Sequence, residues 1–590
     1  MEANKTAKLL EHLSFVYGEQ DAQMTHERIM ALVSSFRDCI SNTHGRNTDD
    51  SIGEKDVILI TYGDFVKSED EAPLRTLGDF LRKNLADDIS IVHILPFYPY
   101  SSDDGFSVID YKQVNPQLGT WEDIHALSED YQLMFDAVIN HISQDSLWFK
   151  HFIAGDARYD NFFITEADTW DLSQVVRPRT SKLLTEVETV NGKKKVWTTF
   201  SADQVDLNYD NSDVFIEIID LMLFYILQGA SVIRLDAIAY LWKESGTSCI
   251  HLPQTHRLIK AMRLVLDMVA PHVILITETN VPHDENVSYF GVINQTTGET
   301  DEAHMVYQFP LAPMVLHTFI AGSTKGINAW LDGLETSGLF MNFIASHDGI
   351  GVMPAIGLID EAEVDSIVAQ VKAHGGLVSY KSNPDGSERV YELNTTLYDA
   401  LNDPGQPDPK LDIPRYIASQ VIMVSLAGVP GIYFHSLFGS RNAHDHYDQT
   451  GRKRSINRKG FSLNELEAIL ADPANMHCQV FHQYQRLLQI RSEEPAFHPR
   501  ARQKILNLSD AVFALERESL DGFSKVLVLV NITAKHTVIT IDVDEHDFYG
   551  EIKINDLISG KTHNNDQSQL VVNLQPYQAA WLKAQQSRRD

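Results

Sequence analysis

The chain has 590 residues and a mass of 66.6 kDa, so two or three domains are expected rather than one. Its 49 Lys and Arg against 81 Asp and Glu leave a net charge of −32 and a pI near 5.1, which excludes nucleic acid and disfavours an anionic membrane surface as partners. A composition of 43% hydrophobic and 22% charged residues is that of a soluble globular protein with a large core.

Residues 1–50 form a polar N-terminal extension with helical spacing: Leu9, Leu10, Leu13, Val16 and Tyr17 share one face, and Ile29, Leu32, Val33 and Phe36 another. The start Met1–Phe15 lacks the basic segment and apolar run of a secretory signal, and no apolar run is long enough to span a membrane, so a cytoplasmic location is expected. Cys39, Cys249 and Cys478 are too widely spaced for a disulfide framework or a zinc pattern and read as reduced core thiols. Asn47–Asp50 reads as a loop.

Eight short apolar runs follow, separated by helical stretches: Val57–Thr61, Ile91–Leu95, Met134–Ile139, Val232–Leu235, Val273–Ile276, Met305–Phe309, Phe340–Ala345 and Gly431–Phe434. Runs apolar on both faces indicate strands covered by helices, and eight of them alternating with helices predict an α/β fold, a (β/α)8 TIM barrel. The third and fourth runs, and the seventh and eighth, lie about 90 residues apart, which places inserted subdomains after strands 3 and 7. The barrel would occupy residues 51–141, 211–350 and 411–500, with insertions at 142–210 and 351–410. From residue 501 to 590 the texture changes to close-spaced strands, Ala511–Glu516, Ser524–Asn531, Thr537–Asp544, Glu551–Asn555, Gln569–Leu574 and Ala579–Leu582, which predict a C-terminal all-β domain.

Polar residues sit at the strand ends, where a barrel builds its active site. The third run ends in Asn140-His141, the fourth contains Arg234-Leu235-Asp236, the fifth ends at Glu278, and the seventh is followed by Ser346-His347-Asp348. Arg234 and Asp236 are two apart, so their side chains share one strand face, where a cation supports an ionised carboxylate. One carboxylate as nucleophile and a second as acid is the chemistry of retaining glycosyl transfer.

These segments resemble the four signature regions of the α-amylase superfamily, glycoside hydrolase family 13, and Gln204-Val205-Asp206-Leu207-Asn208 resembles its additional region. The resemblance implies Asp236 as nucleophile, Glu278 as general acid/base and Asp348 as the third carboxylate. It also implies hydrogen bonds from His141 and His347 to glucose, and Arg234 as support for the nucleophile. His93–Pro99, Asp103–Tyr111, Gly246–Ile250, His347–Gly351, Gly428–Pro430 and Arg454–Arg458 resemble sucrose phosphorylases and their relatives. In that branch Asp103 would close the glucose pocket, Phe106 pack on the sugar and Arg454 bind glucose. Gln204, Phe200 and Tyr240 would line the subsites, and Arg177 and Arg179 would hold inorganic phosphate, the co-substrate. No cofactor is implied, and His444 and His446 read as a polar rim rather than a metal site.

Asn280 stands where sucrose phosphorylases usually carry histidine, and the N-terminal extension is longer than theirs; both features resemble relatives acting on glucosylglycerate or glucosylglycerol. The segment Gly349–Glu363, expected at the acceptor subsite, contains no Lys or Arg, which favours an uncharged polyol walled by Met353 and Ile356. The expected activity is therefore phosphorolysis of an α-glucoside, first 2-O-α-glucosylglycerol. Glucosylglycerate, sucrose and sucrose 6-phosphate are the alternatives within the class, and an α-glucosidase or transglucosidase the alternative outside it. A non-catalytic scaffold is disfavoured because all three carboxylates are present. The sequence carries no sign of an oligomeric state.

Overall fold

The computed structural model describes residues 2–40, 52–165, 169–294, 297–334, 338–382, 387–542, 553–564 and 569–584. Eight parallel strands close into a barrel: β1 (Ile58–Thr61), β2 (Ile91–Ile94), β3 (Gln132–Ala137), β4 (Ala230–Leu235), β5 (Ile274–Thr277), β6 (Met305–Tyr307), β7 (Leu339–Asn342) and β8 (Val429–Tyr433). They neighbour one another in sequence order, and β8 returns to β1. Each overlaps one of the eight predicted runs. Except at Gln132, every strand residue is buried, because side chains fill the interior and helices cover the outside.

The N-terminal helix Glu2–Ile40 is interrupted at Gly18, whose φ of 76° and ψ of 166° are not helical. Its apolar face, with Leu9, Leu13, Ile29 and Val33 fully buried, packs on helices Pro253–Val269 and Ser212–Leu227. The latter helix is apolar nearly all round, as a helix with neighbours on both sides must be. Cys249 and Cys478 are buried, but Cys39 is exposed on the last turn of the N-terminal helix and is not a core thiol. The predicted Asn47–Asp50 loop lies outside the described residues.

The insertion after β3 pairs His141–Ser143 antiparallel with Gln204–Asp206 and adds the hairpin Leu184–Thr189/Gly192–Trp197. Its apolar side chains, Phe149, Phe163, Val205 and Leu207 among them, join the barrel core, and a buried polar cluster adds to the attachment. The buried Lys243 ammonium lies 2.7 Å from Asp206 Oδ2 and donates to Asn140 Oδ1 at 2.9 Å, while Asp206 also accepts from the Thr199 amide at 2.8 Å and hydroxyl at 2.6 Å. The insertion after β7 contains a three-stranded sheet in which Glu388–Asn394 lies between Ile350–Gly351 and Leu377–Ser382.

The C-terminal region is a six-stranded sheet with a separate pair, Thr537–Asp542 and Gln569–Leu574. Arg502–Ser509 and Thr562–Asn564 are strands that the sequence pattern did not mark; the first is an edge strand whose burial does not alternate. Val543, Asp544, Glu551 and Ile552 of the predicted strands lie outside the described residues. The fully buried Arg517 donates to His498 O at 2.7 Å and to Ser425 O, and Trp581 Nε1 donates to Ser425 Oγ at 2.9 Å, which docks this sheet on the segment before β8.

Candidate active site

The tips of β3, β4 and β5 are stitched together by backbone hydrogen bonds, Asp236 N to Ala137 O and Glu278 N to Leu235 O. Register pairs Asp136 with Arg234 across β3 and β4. The Arg234 guanidinium is buried and binds Asp136, donates to Asp236 Oδ1 at 2.8 Å and stands 3.8 Å from Glu278 Oε2. Asp136 is itself buried and bonded to His93 Nε2 at 2.8 Å. Arg234 therefore lies beneath the cavity and does not line it: its predicted support of Asp236 has a geometric basis, but it offers no surface to a substrate.

Above this layer a narrow cavity of about 70 Å³ is lined by Asp236, Glu278, Asp348, Asp103, Phe106, His141, Phe200, Gln204, Tyr240, His347, Arg454 and Arg179, all predicted from sequence. It opens into a vestibule of about 660 Å³ that shares Asp103, Arg179, Phe200, Gln204 and Arg454. Gln204 Nε2 donates to Phe106 O at 3.1 Å and reaches Asp103 Oδ2 at 3.4 Å. His141 Nε2 lies 2.9 Å from Phe106 O, and the His347 ring stacks on Phe106 at 5.1 Å. Phe200 packs against both His141 and Tyr240.

The three carboxyl groups are electrostatically distinct. Burial pushes Glu278 up to about 7 from 4.5; Arg234 opposes that rise, and Asp236 and Asp348 add to it. Burial also raises Asp236, against the Arg234 guanidinium. Asp348 is buried as well, yet Arg454, His347 and Arg458 hold it well below the usual carboxylate range. Arg454 lies 2.7 Å from Asp348 Oδ1 and grips Glu392 with two bonds, at 2.8 and 3.1 Å. A carboxyl group that keeps its proton near neutrality can serve as an acid, and a neighbouring carboxyl bonded to a buried guanidinium can serve as a nucleophile.

Three placements depart from the sequence reading. Arg177 lines neither the cavity nor the vestibule; Arg179 lines both. Gly349–Glu363 contributes nothing to the cavity lining, because strand Glu388–Asn394 is interposed: Val352 N donates to Tyr391 O, and Met353 is buried. The wall expected from Met353 and Ile356 is instead Tyr391 and Glu392, which no sequence signal marked, together with Asn280 and Val281. The Arg179 guanidinium lies over the Tyr391 ring at 5.4 Å and has no carboxylate partner among the described residues. Burial pushes Tyr391 up to about 12 despite that cation. Among the described residues no cluster of three or more His, Cys, Asp or Glu could hold a metal, and no helix is long and apolar enough to cross a membrane.

Residues 84–373 match the family model described as alpha amylase, catalytic domain. The glucosylglycerate phosphorylase of Allomeiothermus silvanus is 45% identical over 97% of this chain and 98% of its own length. The glucosylglycerol phosphorylase of Marinobacter adhaerens is 29% identical over 75% of this chain and 88% of its own. Among solved structures, the sucrose 6F-phosphate phosphorylase from Thermoanaerobacter thermosaccharolyticum superposes with a TM-score of 0.71 at 25% identity, covering 85% of this chain and 97% of that one. The chain thus belongs to the α-amylase superfamily, glycoside hydrolase family 13, in its sucrose phosphorylase-like branch of glycoside phosphorylases, a hexosyltransferase class.

Proposed function

We propose that the chain is a glucosylglycerate phosphorylase, splitting 2-O-α-glucosylglycerate with inorganic phosphate into α-glucose 1-phosphate and glycerate. The observation that carries this is Arg179, a cation without a carboxylate partner among the described residues, held on Tyr391 where the cavity meets the vestibule. Its forked donors match the glycerate carboxylate as well as the phosphate that replaces it, whereas with a polyol acceptor they would serve phosphate alone. The argument for glycerol as acceptor rested on the absence of cations from Gly349–Glu363, and those residues do not line the cavity. The much greater similarity to the glucosylglycerate enzyme points the same way.

In this reading glucose lies against Phe106 between His141, His347, Asp348 and the Asp103–Arg454 side of the pocket. Asp236 attacks the anomeric carbon while Glu278 gives its proton to the departing oxygen of glycerate, leaving a glucosyl ester on Asp236. Glycerate leaves, phosphate takes its place on Arg179, and Glu278 removes the phosphate proton as phosphate attacks the anomeric carbon and the Asp236 carboxylate departs. Two inversions restore the α configuration.

The test is the reverse reaction from α-glucose 1-phosphate with glycerate, glycerol, fructose and fructose 6-phosphate. Glycerate should give the highest kcat/KM; a higher value with glycerol would restore the polyol reading.

A further inference from the structure

Between β2 and the helix Trp121–Ser128, three successive residues have positive φ: Asp103 at 54°, Asp104 at 50° and Gly105 at 113°. Gly105 has no alternative, since a Cβ there would meet Pro96 O at 2.5 Å. For the two aspartates the left-handed backbone is unfavourable unless their side chains compensate it. The turn sends the two carboxylates apart. Asp103 lines the glucose cavity, whereas Asp104 turns to the loop after β8 and accepts from Arg458 Nη1 and Arg452 Nη1, both at 2.7 Å.

Arg458 carries that contact into the site. It is buried, donates from Nε to His347 O at 2.8 Å and reaches Asp348 Oδ1 with Nη2 at 3.4 Å. Between Arg452 and Arg458 in the same loop stands Arg454, which faces Asp348 and Glu392. One carboxylate thus ties the loop carrying Asp103 and Phe106 to the loop carrying Arg454. Asp104 and Arg458 stand as a partition, with the vestibule in front and a second cavity of about 360 Å³ behind, lined by Tyr62, Tyr100, His446 and Ser455 among others. The ion pairs hold this partition together with the Tyr62 ring, over which the Arg458 guanidinium lies at 5.6 Å.

We infer that Asp104 is a positioning residue for glucosyl transfer: through Arg458 and Arg452 it sets the placement of Asp103, Arg454, His347 and Asp348 around the sugar. It acts on the glucose side of the reaction, so the inference is independent of which acceptor the enzyme uses.

Asp104→Asn removes the charge and keeps a side chain that tolerates a left-handed backbone. The probe is α-glucosyl fluoride, whose leaving group needs no acceptor subsite. We expect kcat/KM for α-glucosyl fluoride and for α-glucose 1-phosphate to fall together by at least tenfold, roughly one unit of log K or about 1.4 kcal/mol. The KM for phosphate should change less than twofold and the melting temperature by only a few degrees. Arg458→Lys should give the same selective loss, and the double variant should be no worse than the poorer single one, because the two residues act as one unit. Values within twofold of the parent, a loss confined to the phosphate KM, or additive losses in the double variant would each overturn the inference. If Asp104→Asn does not fold, Arg458→Lys decides alone: it leaves the left-handed turn untouched, and parent-like kcat/KM for α-glucosyl fluoride rejects the proposal.

Discussion

Arg179→Ala is the most informative substitution in the acceptor region. Because this guanidinium has no carboxylate partner among the described residues, its removal strands no buried charge, and the variant should keep nearly all of its stability. The loss then falls on whatever anion the guanidinium holds. A hydrogen bond to a charged group contributes about 1.5–3 kcal/mol, and a fork makes two, reduced here because Arg179 is partly open to the vestibule. A net loss of about 2–4 kcal/mol corresponds to roughly 30- to 1,000-fold in affinity. Initial rates of phosphorolysis at varied phosphate should show that rise in KM, while hydrolysis of the glucosyl-enzyme without phosphate stays near the parent rate. In reverse, kcat/KM for glycerate should fall by a comparable factor and that for glycerol by less than threefold. Arg179→Lys should be intermediate, since an ammonium supplies the charge without the fork. An unchanged KM for phosphate, or equal losses with glycerate and glycerol, would refute the assignment.

Asp236→Asn should lower turnover on the order of 10³-fold or more with the fold intact, and no glucosyl-enzyme should be trapped; near-parent activity would remove Asp236 from the nucleophile role. With Glu278 raised to about 7, kcat/KM for phosphorolysis should decline as pH rises above that value, and Glu278→Gln should abolish this limb. The same shift has a sign for stability. The folded chain binds more protons at Glu278 than the unfolded chain between pH 4.5 and 7, so its contribution is present at low pH and lost as pH rises through that window. The stability advantage of Glu278→Gln over the parent should therefore grow from pH 4.5 to 7 and level off above, which denaturant titrations at several pH values would measure. Lys243→Met leaves Asp206 buried without its cation, at a cost of about 3–5 kcal/mol; a midpoint shift under about 1 kcal/mol would show that the Thr199 and Asn140 bonds suffice.

The barrel could be read from the chain because strands covered on both sides must be apolar on both sides, so each becomes a compact hydrophobic run ending in polar residues. Arg234 and Asp236 could be paired because strand periodicity is local. What stayed hidden depends on pairing across long stretches of chain. Tyr391 and Glu392 sit on a strand of ordinary composition, and its pairing with Ile350–Gly351 and Leu377–Ser382 carries them to the cavity wall. Gly349–Glu363 follows Asp348 in sequence, and nearness along the chain suggested nearness to the acceptor; the interposed strand breaks that link. Asp104 and Arg458 are 354 positions apart, and nothing local marks either as the other's partner.

The charge arrangement explains why a phosphorylase needs something a hydrolase does not. Asp136 and Asp236 share Arg234, and Asp348 and Glu392 share Arg454, so each arginine at the catalytic level is already committed to two carboxylates. In the proposed first step the proton of Glu278 leaves with the acceptor while the charge of Asp236 disappears into the ester; the negative charge moves and is not removed. The incoming nucleophile therefore meets an anionic Glu278. Water tolerates this, but phosphate brings a second negative charge within a few ångströms, a repulsion of about 4 kcal/mol at an effective dielectric constant near 20. A proton shared between phosphate and Glu278 relieves part of it, and an uncommitted cation must supply the rest. Arg179 is the cavity-lining arginine without a carboxylate partner among the described residues. A glucosylglycerate enzyme meets the same demand in both directions, because its acceptor is also an anion occupying the place of phosphate. One arginine then serves two ligands in turn, so glycerate and phosphate should compete for the glucosyl-enzyme, and Arg179→Ala should weaken both by similar factors. Noncompetitive inhibition of phosphorolysis by glycerate with respect to phosphate would show two separate anion sites and break this economy.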